Sequence, residues 1–82
     1  MIFNFKVTDP AGIHARPAAQ LSIALTRIGA QVKLQHGSRM ADARSVIQLL
    51  SLGATAGSEL QAEINGTPEQ TEAVIRELQQ FL

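Results

Sequence analysis

The sequence contains no cysteine, no tryptophan and no tyrosine. Without cysteine there is neither a disulfide framework nor a thiolate metal site, which fits a reducing compartment. Charge of one sign is not in excess: seven basic residues balance seven acidic ones. A neutral chain whose only aromatics are three Phe lacks the basic, stacking surface of a nucleic-acid binder. Apolar runs are a few residues long, so nothing in the sequence spans a membrane. The opening "MIFNFKVTDP" has no basic start and no long apolar stretch, so no secretory leader is read there and a cytoplasmic location is expected. With 82 residues the chain suits one domain, 1–82, and not two.

What is present is a clear change of period along the chain. Phe3, Phe5 and Val7 alternate with Asn4, Lys6 and Thr8, the pattern of a half-buried strand. "DPAG" then breaks it with a turn. From Pro17 to about Ile28, residues Ala18, Leu21, Leu25 and Ile28 share one helical face, and Gly29 stops the helix. Val32 and Leu34 mark a second strand, "HGS" a turn, and Arg39 to Asp42 a short third strand. Ser45 opens a short helix, with Gln48 at capping-box spacing and Gly53 at its close. Leu60, Ala62 and Ile64 alternate within a fourth strand over Ser58 to Ile64. Thr67, Pro68 and Gln70 start a last helix whose inner stripe is Val74, Leu78 and Phe81, with Ile75 and Leu82 beside it. The order βαββαβα, with one wet sheet face, predicts an α+β two-layer sandwich.

One helix start has an unusual composition. In "GIHARPAAQ", no Ser, Thr, Asp or Asn precedes Pro17. With Pro17 as the first helical residue, Arg16 becomes the cap, and Arg has no side-chain acceptor. The amides of Ala18 and Ala19 are then expected to be unpaired, with the positive end of the helix dipole and the Arg16 charge beside them. Pro17, Ala18 and Ala19 therefore form a candidate phosphate site. His14 lies two residues ahead of Arg16, and a neutral imidazole there is a candidate nucleophile for a phosphoryl group. It is not a candidate metal ligand, because the only other histidine, His36, lies in a distant turn. The composition points to no cofactor.

"GIHARPAAQL" closely resembles the active-site stretch of the HPr family, the histidine-containing phosphocarriers of the bacterial sugar phosphotransferase system. "ARSVIQLLSLGATAGSEL" resembles that family's second-helix stretch, and the likeness runs over the whole chain. The resemblance implies an open-faced sandwich: a four-stranded antiparallel sheet with three helices on one face. It implies a monomeric carrier, not an enzyme, that takes phosphate from enzyme I and passes it to enzyme IIA domains. By position, His14 matches the phosphorylated histidine, through the ring nitrogen nearer the backbone, and Arg16 the arginine that steadies the phosphoryl group. Ser45 matches a serine that a regulatory kinase modifies in some lineages, which makes a serine kinase/phosphorylase a further implied partner; as a helix cap it also has a purely structural role.

Leu49 and Leu52 are expected in the core of the short helix, which leaves Val46, Ile47 and Leu50 partly exposed. With Ala15, Ala19, Ile23 and Arg27 on the first helix they form a candidate docking surface. The best-known carriers have lysines on that side of the first helix, where this sequence has Ile23 and Thr26, with Arg39 and Arg44 as partial replacements. The departure opens the alternative of a paralogue serving a dedicated fructose, dihydroxyacetone or nitrogen branch. An HPr-fold regulatory module is the alternative from another functional class.

Overall fold

The computed structural model describes residues 1–82. Its elements are β1 (Ile2–Lys6), α1 (Ala15–Ile28), β2 (Gln31–His36), β3 (Arg39–Asp42), α2 (Val46–Ser51), β4 (Glu59–Asn65) and α3 (Pro68–Phe81). The strands form one antiparallel sheet in the order β1-β4-β2-β3. Because β1 and β2 both run antiparallel to β4, they are parallel to each other, with β4 inserted between them. The segment β1-α1-β2 is thus a split βαβ crossover.

Alternation in the strands separates the two faces. Val32, Leu34, Ala41, Leu60, Ala62 and Ile64 are buried toward the helices, while Lys33, Glu63 and Gln61 face away. Register puts Leu34 opposite both Ala41 and Ala62, so two small side chains flank a large one at the sheet centre. Leu21 and Leu25 of α1, Leu49 and Leu52 around α2, and Val74 and Leu78 of α3 cover that face. Each fully buried Leu contributes about 1.5–3 kcal/mol of apolar burial. Three helices on one face and a polar face opposite make the open-faced α+β sandwich expected from the sequence. The short third strand is present as expected.

Element ends differ from the sequence reading in ways the packing explains. Leu82, not Phe81, occupies the buried end of the α3 stripe, because the apolar row ends against the loop after β1: the Leu82 carbonyl accepts from the Thr8 and Asp9 amides at 2.6 and 3.1 Å. At Gly29 the backbone adopts φ 84°, a left-handed conformation that closes α1 with an amide bond to Leu25 O.

Gln70 has a second task beyond its predicted capping box. Its Oε1 accepts from Thr67 N–H at 2.8 Å, as the box requires, while its Nε2 donates to Ile28 O at 3.0 Å. One side chain therefore caps the start of α3 and satisfies an orphan carbonyl at the end of α1. Gln70→Ala should lower stability by about 1–2 kcal/mol, since both orphan groups lose their partner. The check is the midpoint of urea unfolding; an unchanged midpoint would show that the bridge carries no weight.

Candidate functional site

The loop before α1 is held from three directions. The amides of Thr8 and Asp9 donate to Leu82 O, and Ile13 N–H donates to Ala54 O at 3.2 Å. Within the loop, Asp9 makes an Asx turn: its Oδ1 accepts from Ala11 N–H at 2.8 Å and its carbonyl from Gly12 N–H at 2.9 Å. Gly12 is buried with φ +71°. A Cβ there would lie 2.6 Å from Ala54 O and 2.9 Å from Thr55 Cα, so only glycine permits this approach.

This docking delivers His14 to the end of α1. The helix begins at Ala15, two residues earlier than the proline suggests, and His14 is its N-cap with extended backbone and no side-chain cap bond. Arg16 is therefore not the cap but the second helical residue. Proline is compatible with this start because the first-turn amides have no intrahelical acceptor, and Pro17 at the third position removes one of them. The predicted open amides shift accordingly. Ala18 N–H donates to His14 O at 3.1 Å, and both Pro17 and Ala18 are buried. Ala19 lies one residue further into the helix. The amides left facing outward at this end are those of Ala15 and Arg16, with no acidic residue in the first turn.

The His14 side chain is 45% exposed, and its Nε2 lies 3.4 Å from Asp9 Oδ2. Arg16 is exposed and enters none of the chain's ion pairs, which are Lys6–Glu59, His14–Asp9 and Arg44–Asp42. An accessible imidazole, two outward amides and one uncommitted guanidinium thus meet at the positive end of a 14-residue helix. They can hold a dianion beside a nucleophilic nitrogen. Sequence reading missed Asp9, taking "DPAG" for a turn alone; the available signal was an Asp within loop reach of the histidine.

Ser45 is the N-cap of α2, with Oγ accepting from Gln48 N–H at 3.3 Å. The predicted reciprocal half of that box is not made. Gln48 Oε1 instead accepts from Asp42 N–H at 2.8 Å, because Ser45 N–H is already bonded to Asp42 O. Asp42 also takes the Arg44 amide at 2.9 Å and its Nε at 3.5 Å. The Arg44 backbone bond, opposed by some burial and aided by the guanidinium and Lys33, holds the Asp42 carboxyl below its ordinary range. Arg39 is also engaged, donating to Ser51 O at 3.1 Å. His36 contacts Leu52 O through Nδ1 at 2.8 Å. The β2–β3 hairpin therefore caps the C-terminus of α2, which has no basic residue of its own.

The candidate docking residues divide in two. Ile23 is 54% exposed on α1, and Ile47 and Leu50 are 81% and 40% exposed on α2, with Val46 and Ala19 half-buried. The two helices pack on one another. Ala15 is exposed beside His14. Arg27 is not brought to the histidine: it sits in the last turn of α1, about 20 Å along the axis. A surface groove of about 650 Å³ lies elsewhere, on the open sheet face between Asn4, Lys6, Gln35, Glu59 and Gln61. His14 lines neither this groove nor the smaller one beside Thr8 and Leu82. No cluster of three or more His, Cys, Asp or Glu side chains could hold a metal ion. No helix is long and apolar enough to cross a membrane.

Comparison with known proteins agrees with this arrangement. Residues 2–82 match a family model described as the PTS HPr component phosphorylation site. The phosphocarrier protein HPr of Lysinibacillus sphaericus is 32% identical over 66 residues, covering 80% of this chain and 75% of that protein. Phosphocarrier protein NPr of Klebsiella oxytoca is 36% identical over 70 residues, covering 84% and 77%. The phosphoryl donor subunit DhaM of a PEP-dependent dihydroxyacetone kinase from Providencia stuartii is 36% identical over 64 residues. The match covers 78% of this chain but only 13% of that protein. A second long relative, the multiphosphoryl transfer protein of Xanthomonas campestris, is matched over 8% of its length. The crystal structure of HPr from Bacillus anthracis superposes with a TM-score of 0.87 at 22% identity, covering 100% of this chain and 96% of that one.

Two outcomes follow for the site's scaffold. Gly12→Ala should cost roughly 2–4 kcal/mol, from the left-handed φ and the clash with Ala54 O together, and should displace the His14 loop. Chemical denaturation and the chemical shifts of the His14 ring read both effects; wild-type values in each would refute the close-approach argument. Asp42 has a lowered folded pKa, so its contribution is complete above the unfolded value near pH 4 and is lost as pH falls through the folded value. Asp42→Asn should therefore flatten the acid limb of the stability curve and leave a near-constant loss at neutral pH. Parallel acid limbs for the two proteins would contradict it.

Proposed function

The chain belongs to the HPr family of phosphotransferase-system phosphocarriers, and from that premise we propose that His14 carries the phosphoryl group, taken from enzyme I and passed to an enzyme IIA domain. The observation that carries the reading is the exposed His14 ring at the start of α1, beside the outward amides of Ala15 and Arg16. A phosphoryl group on the ring places about two negative charges near those amides and the free Arg16 guanidinium. Transfer is an in-line displacement in which the ring nitrogen replaces the donor's leaving atom. The same surface then presents the group to the acceptor. The protein is regenerated after each pair of transfers and needs both partners to complete a cycle, so its role is that of a carrier.

A second reading concerns the branch served. The docking side of α1 exposes Ile23 and Thr26, and Arg39 and Arg44 are held by Ser51 O and Asp42. Little uncommitted positive charge faces a partner there. This favours a partner with an apolar contact surface, as in a dedicated branch, over a strongly acidic one. The similarity to DhaM and NPr supports that reading. Ser45 serves as the α2 cap, with Oγ accepting from Gln48 N–H, and its modification by a kinase is a separate proposal.

Incubation with enzyme I and phosphoenolpyruvate should place one acid-labile phosphoryl group on the protein, and none on His14→Ala. Arg16→Ala should keep its melting temperature, since the side chain makes no core contact, while labelling slows on the order of 10-fold or more. Acid-stable phosphate, or labelling of His14→Ala, would overturn the assignment.

A further inference from the structure

We propose that Asp9 is a positioning residue for the phosphoryl acceptor: its carboxylate keeps the proton of the neutral His14 ring on Nε2 and leaves the Nδ1 lone pair open to phosphorus. The inference rests on the reading that His14 accepts the phosphoryl group on Nδ1. Its own basis is the geometry of the loop.

Asp9 cannot turn away freely. Its N–H is bonded to Leu82 O and its carbonyl to Gly12 N–H. Its Oδ1 is bonded to Ala11 N–H. With one carboxylate oxygen fixed, the other stays beside the ring: Oδ2 lies 3.4 Å from Nε2, an ion-pair contact rather than a formed hydrogen bond. That is longer than a tight charge-assisted bond, as is common at reactive groups before the partner arrives. A carboxylate only accepts, and a neutral imidazole carries one N–H and one lone pair. The favourable pairing therefore puts N–H at Nε2 and the lone pair at Nδ1.

The transfer step balances without moving a proton. The Nδ1 lone pair forms the new bond to phosphorus. The bond from phosphorus to the donor breaks, and its electron pair leaves with the donor. The ring keeps its proton on Nε2 and gains a formal positive charge, which faces the Asp9 carboxylate. When the group moves on, the N–P electron pair returns to Nδ1 and restores the starting tautomer. A ring with its proton on Nδ1 would have no lone pair there to attack with.

His36 supplies a contrast within the same chain. Its Nδ1 faces Leu52 O at 2.8 Å, and a carbonyl also only accepts, so its neutral ring is protonated on Nδ1. The two histidines should therefore show opposite tautomers.

Nitrogen-15 spectra of the imidazoles, taken at a pH where both rings are neutral, test this directly. His14 should be in the Nε2–H form by about tenfold, the excess given by one modest charge-assisted bond, and His36 in the Nδ1–H form. In Asp9→Asn the Ala11 amide still requires an acceptor, so the Asn oxygen takes the Oδ1 place and its NH2 group faces Nε2. His14 should then shift toward Nδ1–H, His36 should not change, and enzyme I-driven labelling should slow by about tenfold. Asp9→Ala should lower the preference to the weaker intrinsic Nε2–H excess of a free histidine and give an intermediate rate, with unchanged His36 signals reporting an intact fold. A wild-type His14 with mixed or Nδ1–H tautomer, or one unaltered by Asp9→Asn, overturns the proposal whatever the transfer assay gives. Tautomers as expected with no labelling of His14 would leave the pairing standing and overturn the carrier reading instead.

Discussion

The approach of Gly12 to the backbone of Ala54 and Thr55 decides where His14 stands. Apart from Ile13, which packs against the core, the loop ahead of α1 has little side-chain mass: Ala11 and Gly12 offer almost nothing to bury, and Pro10 is exposed. It is held by backbone bonds, from Ile13 to Ala54 and from Thr8 and Asp9 to Leu82. Those bonds form only if the chain at residue 12 lies flat against the segment between α2 and β4, which excludes a Cβ. The N-terminal end of α1 is thus fixed by elements more than forty positions away in the sequence. An exposed histidine on an unconstrained loop would have to be ordered during each encounter, at a cost in conformational entropy.

Much of the architecture was legible because it follows from side-chain periodicity. Alternation at Phe3 and Phe5, at Val32 and Leu34, and at Leu60, Ala62 and Ile64 marks strands with one buried face whatever their partners. The row Ala18, Leu21, Leu25 marks a helix in the same way. Strand order was not legible, since a period of two says which side is buried and nothing about which neighbour lies alongside. The start of α1 was misplaced by two residues because a proline is tolerated anywhere in a first turn, and only the carbonyl of His14 shows which amide closes the first ring. That error moved the open amides from Ala18 and Ala19 to Ala15 and Arg16, which still lie beside His14. The contacts of Asp9 with His14 and of Gln48 with the Asp42 amide were hidden for a different reason. Each uses a side chain at short range in a direction that depends on the folded backbone, and many conformations of the same residues would not make those contacts.

The charges around the site divide by how they are used. Arg44 and Asp42 fix the entry to α2, and Arg39 and His36 fix its exit, so that a helix of six residues is held at both ends. A helix so short has little stability of its own. Its exposed Ile47 and Leu50 are presented on a frame that other elements maintain. Arg16, in contrast, is tied to nothing within the chain. Anchored residues shape the surface, and the unanchored one remains available to an arriving anion.

The insertion of β4 between β1 and β2 also governs the order in which the molecule can assemble. β4 spans Glu59–Asn65 and is sixth of the seven elements, yet it pairs with both neighbours along most of its length. Until it has joined, β1 has no strand to pair with, and the β2–β3 hairpin is the one piece of sheet that local contacts can build. Most of the sheet's pairing is therefore non-local, the kind of topology associated with slower folding. During synthesis β1 and the inner face of α1 would stay uncovered until β4, which follows β2, β3 and α2, had been made. The loop that presents His14 would form later still, since its anchor at Leu82 closes α3, which follows β4 in the chain.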